Sequence, residues 1–228
     1  MPEIVDAAKL LRDGVLDGLG VLVADAGGAA EPSASPTFAA LIASACVALG
    51  ASVERWSVAG ADTADWSVPD SVDRLIIDGA ALYDAGERAE RAQDEGSANG
   101  DGSSAAARAG LRACLDSAWV ASHAVANAAF IERRRPGRIV YVAPPSAAGA
   151  SAATGLADAA RAGLENLART LSIEWARYEI TTATIAPGVS TSGDEVAALC
   201  AYLASPAGAY FSGCLLDLRG IAARRTRG

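Results

Sequence analysis

Short apolar runs, separated by stretches long enough to be helices, constrain this chain more than any other feature. Leu19-Gly-Val-Leu-Val-Ala-Asp25 is rich in Val and Leu without alternation, the pattern of a strand buried on both faces. Residues 51–58, 72–78 and 138–143, a run ending at Ala186-Pro187-Gly188, and residues 213–220 read as further strands. Between them lie helix-length segments at about 37–49, 105–131, 163–176 and 196–204, the first stopped by Gly50. Strands that alternate with helices need crossover connections, which give a parallel sheet covered on both faces. The expected fold is α/β, in one domain over 1–228. A low-complexity segment, 84–104, interrupts the alternation. Its end, Asp94-Glu-Gly-Ser-Ala-Asn-Gly-Asp-Gly-Ser-Ser104, has nothing to bury, and a mobile insertion is expected at about 84–104.

Composition removes several functional classes. A formal charge of −8 speaks against a nucleic-acid partner, which needs a basic face. The clusters at 133–135 and 224–227 are short and read as solvated ends of elements. Cys46, Cys114, Cys200 and Cys214 are scattered without a CxxC pair, and the single His123 leaves no zinc set; no metal is expected. The longest apolar run, 39–51, is too short to cross a bilayer, and no signal sequence is read at the N-terminus. A cytoplasmic protein with no membrane association is expected.

The order of pieces over roughly 111–220 carries more. The strand at 138–143, a small-residue loop, the helix with Leu164, Leu167 and Leu171 on one face, the Ala186-Pro187-Gly188 turn, a helix and a last strand resemble the second half of a short-chain dehydrogenase/reductase. The resemblance implies a three-layer αβα, Rossmann-like, doubly wound sheet of about seven strands. It also implies a serine at a strand end, a tyrosine thirteen residues on and a lysine four further, preceded by an asparagine in an earlier helix. Those positions hold Pro144, Ala157, Arg161 and Cys114. Pro144 and Ala157 have no proton to give, and Arg161 keeps its charge but does not deprotonate. Asn127 lies more than three turns beyond Cys114. Ser146 and Ser151 lack a base partner.

The cofactor motifs depart as well. The family sets three spaced glycines after the first strand, so that backbone N–H groups and a helix N-terminus meet the pyrophosphate. Here Asp25, Gly27, Gly28 and Glu31 follow the strand, with Pro32 and Pro36 removing donors. The family's Asn-Asn-Ala-Gly turn is Ile77-Asp78-Gly79-Ala80. The substrate lid is reduced to a few residues between Pro187 and Glu195. Among other residues, Tyr83 is the best isolated proton-donor candidate, placed after the Gly79 turn. Tyr141 reads as core or interface packing, and His123 as a satisfied packing residue.

These readings give a leading expectation: a catalytically degenerate relative with no cofactor. It would be a structural or regulatory subunit in a dimer or tetramer, with itself or with an active family member. The resemblance places the contacts on about 105–131, 163–176 and 196–220. The alternatives are an NAD- or NADP-dependent oxidoreductase using non-family residues, and an acyl-thioester or small-molecule binding module.

Overall fold

A computed structural model describes residues 11–27, 37–58, 67–94, 102–145 and 152–219. Six strands form one parallel sheet in the order β2-β1-β3-β4-β5-β6. They are β1 (Gly20–Asp25), β2 (Ser52–Ser57), β3 (Arg74–Asp78), β4 (Gly137–Val142), β5 (Ile180–Ala186) and β6 (Cys214–Asp217). Only residues 58–73 separate β2 from β3, and the crossover from the sheet edge past β1 uses them. The described residues place six strands in this sheet, in line with the expected count of about seven.

Among the described residues, five helices cover the sheet: α1 (Phe38–Ala48), α2 (Gly79–Asp94), α3 (Gly102–Val125, continued by a π-helical turn Ala126–Ile131), α4 (Ala152–Glu174) and α5 (Gly193–Ala204). Thr37 caps α1, and the chain leaves it through Gly50 at φ +99°, a conformation glycine adopts without penalty. Alternate strand residues divide the core. Leu22, Leu75, Ile77, Ile139 and Tyr141 pack against α3 and α4. Val23, Ile76, Val140 and Ile185 pack against α1 and α5 with Ile42, Cys46, Val196 and Cys200. Each fully buried Leu or Ile contributes about 1.5–3 kcal/mol.

Two boundaries differ from expectation. Residues 84–94 belong to α2, which opens at Gly79, and 102–104 open α3. Ala, Glu and Arg are strong helix formers, and Glu87 pairs with Arg91 one turn on. The expected mobility of residues 95–101 lies outside the described residues. In addition, α4 begins eleven residues before Gly163, so Ala157 and Arg161 are helical. Leu164 and Leu171 point into the core, with Leu167 packed at its margin.

At the amino ends of the strands, two arginines serve the C-terminus of α5. Arg138 donates to the carbonyls of Leu203 and Ser205 and to Thr181 Oγ1, and Arg74 Nε donates to the Ala204 carbonyl at 2.8 Å. Cations there satisfy carbonyls left over by the helix and oppose its negative end. Burial, with Arg74 beside it, lowers Arg138 to about 10.

Candidate functional site at the carboxyl ends of the strands

All strands are parallel, so their carboxyl ends share one edge. The chain leaves β1 toward β2 on one side and leaves β3 toward β4 on the other. The crevice between β1 and β3 is therefore the topological switch point, where ligands bind in open α/β sheets. Asp25 ends β1 and Asp78 ends β3; they are 4% and 1% exposed.

Asp78 is the last strand residue before α2, and an Asp there caps the following helix. Its Oδ1 accepts from the Ala81 N–H at 3.0 Å. Its Oδ2 accepts from the Ala39 N–H of α1 at 2.9 Å, so one carboxylate serves two helix N-termini. The next donors of α1 are used too: Ala40 N–H reaches Thr37 Oγ1 and Leu41 N–H reaches the Thr37 carbonyl. Burial raises Asp78 to about 6 despite these two N–H donors, and Asp25 and Asp84 add to the rise.

Asp25 Oδ1 accepts from the Gly27 N–H at 2.7 Å, and Oδ2 is paired with Arg55, whose Nε lies at 3.1 Å. Gly27 has φ +66°, and a Cβ there would lie 2.2 Å from Ser57 Oγ. Gly28 and Glu31 lie outside the described residues. A dinucleotide's diphosphate needs free N–H donors or cations. Here the amides of residues 39–41 are taken, Arg55 is paired, and two buried carboxylates line the crevice. Among the described residues, the groups that face the crevice do not fit a diphosphate.

Of the four positions that the resemblance assigns to catalysis, the structure brings Arg161 and Pro144 into contact. Arg161, 6% exposed, donates through Nη1 to the Pro144 carbonyl and to the Pro187 carbonyl at 3.0 Å. It thus ties the chain leaving β4 to the chain leaving β5. Its Nη2 has no partner among the described residues, and Asp158 is 3.7 Å from Nε. Burial, then Arg219 nearby, lowers its pKa. Ala157 lies half-buried one turn before it. Cys114 is fully buried, and burial holds its thiol up at about 12, far from a usable nucleophile.

Tyr83 is not at the sheet edge. The helix begins at Gly79 itself, which carries Tyr83 into the α2–α3 interface, where its ring approaches Gly110. Its hydroxyl is buried without a partner among the described residues, and burial, with the Glu87 carboxylate near, raises it to about 12. Tyr141 is a core residue: fully buried, its hydroxyl 2.7 Å from Ser122 Oγ. His123 packs between Trp119 and Trp175, at ring distances of 4.1 and 5.3 Å. It is a packing residue, but not a satisfied one, because Nε2 has no hydrogen-bond partner among the described residues. Asn127 is exposed in the π-helical turn, and Ser146 and Ser151 lie outside the described residues.

The connection from β5 to α5 spans only residues 187–192. It is closed by Gly188 N–H to Thr191 Oγ1 and by a capping box between Ser192 and Glu195. Sequence reasoning missed the double capping by Asp78 and the bridging by Arg161. The Asp-Gly-Ala start of a helix signalled the first; nothing local signalled the second.

No family model matches the sequence, and no curated protein matches it. Solved structures do. A citronellol catabolism dehydrogenase (AtuB) of Pseudomonas aeruginosa PAO1 is 20% identical, covering 94% of this chain and 98% of its own, with a TM-score of 0.62. An NAD(P)-dependent gluconate 5-dehydrogenase assigned in Beutenbergia cavernae, with NADP bound at low occupancy, is 22% identical over 93% of this chain and 100% of its own, with a TM-score of 0.64. BdcA of E. coli is 21% identical over 90% and 100%, with a TM-score of 0.51. At these identities the likeness is one of fold: over nearly its whole length, the chain adopts the Rossmann-like architecture that these proteins share.

Proposed function

We propose that this chain is a cofactor-free, catalytically silent relative of the short-chain dehydrogenases that works as a structural or regulatory subunit, assembled with itself or with an active member of that family. The observation that carries the reading is Arg161. It stands where the family's lysine is expected, and its guanidinium is engaged by two backbone carbonyls, with Ala157 in place of the tyrosine. A site without a titrating hydroxyl has no proton to exchange with a carbonyl substrate. The taken donors at the switch point support the same reading for the cofactor.

Assembly is supported by apolar side chains left on the outer helices. Trp119 of α3 is 46% exposed and Ile173 of α4 is 76% exposed. Burying both in a subunit contact would take that apolar surface out of water. Light scattering after size exclusion tests this, alone and after co-expression with a complete family dehydrogenase from the same organism. The expected result is a mass of two or four subunits of 22.9 kDa, or a stable mixed particle. Trp119→Glu with Ile173→Glu should disperse either one. A monomer under both conditions would contradict the reading.

The second reading is an NAD(P)-dependent oxidoreductase using non-family residues. It draws on the fold likeness to a protein that carries NADP. It requires saturable dinucleotide binding and turnover, measured by loss of NAD(P)H absorbance with a panel of carbonyl substrates.

A further inference from the structure

We propose that the Asp78 carboxylate is a resident anion: it holds the converging N-termini of α1 and α2 in place of an external phosphate, and so closes the switch-point crevice to phosphate-bearing ligands. The inference deepens the reading above, and it rests on that reading in treating the crevice as cofactor-free.

The geometry is that of a bound anion. Each carboxylate oxygen accepts from the first turn of a different helix, Oδ2 from Ala39 and Oδ1 from Ala81. No cation pairs with Asp78 among the described residues. Its negative charge is met by helix N-terminal amides, the groups that hold free phosphate or sulfate elsewhere. Asp25 differs, because its oxygens serve Gly27 N–H and the Arg55 guanidinium and are neutralised locally. The crevice thus contains one self-neutralised carboxylate and one that depends on the helix ends. The side chain is tethered at the end of β3, so it competes intramolecularly with any dissolved anion. A diphosphate entering the crevice would have to displace it.

The prediction is a gain of binding when the tethered anion is removed. Asp78→Ser frees both amides and the space; Asp78→Asn keeps the shape and removes the charge. Melting of wild type and both variants is followed with inorganic pyrophosphate and with sodium chloride at matched ionic strength. Wild type is expected to show no shift specific to pyrophosphate. Asp78→Ser should melt lower and be restored saturably by pyrophosphate, by about 3–6 °C at ten times the dissociation constant. Asp78→Asn should show a smaller shift of the same sign. If Asp78→Ser does not fold, Asp78→Asn carries the test. Specific stabilisation of wild type by pyrophosphate overturns the proposal, and so do variants that respond no differently from wild type. Binding of NADH or NADPH by wild type would instead overturn the cofactor-free reading, whereas inert wild type with inert variants would leave that reading standing and remove only this one.

Discussion

Replacing Asp78 by Asn should change how stability depends on pH. Burial holds this carboxyl at about 6 in the folded chain, against an ordinary value of 3.8. The folded state therefore binds the proton more tightly than the unfolded state does. That preference stabilises the fold fully below the ordinary value and is lost as pH rises through about 6. The whole difference is worth about 3 kcal/mol at 1.36 kcal/mol per unit, of which about 1.4 kcal/mol is lost between pH 5 and 7.5. The charged neighbours are Asp25 and Asp84, present in both proteins. The thiols of Cys114 and Cys200, which also feel Asp78, are kept protonated by burial and do not titrate in this window. In Asp78→Asn the side-chain amide offers one acceptor oxygen to two N–H donors, a pH-independent loss of about 1–3 kcal/mol. The variant should therefore be less stable at pH 5, and the gap should narrow by about 1.4 kcal/mol at pH 7.5, or about 3–6 °C in melting midpoint for a chain of this size. Urea unfolding or thermal melts across pH 4.5–8 measure it. Parallel curves for the two proteins would refute the role assigned to Asp78.

Three other substitutions probe the remaining assignments. Arg138→Met removes the buried donor to the Leu203 and Ser205 carbonyls and should cost about 3 kcal/mol, read as a melting drop of about 6–12 °C. Tyr141→Phe leaves Ser122 bonded to the Ala118 carbonyl and should cost only about 0.5–1.5 kcal/mol in urea unfolding. Arg161→Lys restores the family's residue type but not its partner hydroxyl, so NADPH consumption with carbonyl substrates should stay at background; turnover would show that Ala157 is not the limiting defect.

Much of the fold is legible because its signals are local and redundant. The strands at the centre of this sheet are buried throughout and largely apolar, as β1 and β4 show, and Gly50 ends α1 where its position predicts. The helix over 84–94 escapes a reading that weighs its polar residues as solubility rather than as helix propensity. The candidate site is legible only as a set of absences. Under the resemblance, Cys114, Pro144, Ala157 and Arg161 are expected, by residue type alone, to be unsuited to the family chemistry. What replaces that chemistry depends on contacts across the fold. Asp78 meets Ala39 and Arg161 meets Pro144 and Pro187 only after the sheet brings their elements together. Tyr83 shows the same dependence: starting the helix at Gly79 rather than after a turn moves its side chain from the sheet edge into the core.

Calorimetric titration of the purified, folded protein with NADH and with NADPH, to millimolar concentrations, tests the cofactor-free reading most directly. No saturable heat is expected with either, because the Ala39, Ala40 and Leu41 amides of α1 are taken and the Asp78 carboxylate occupies the helix ends. A saturable isotherm with either dinucleotide would contradict it and make the oxidoreductase reading the leading one.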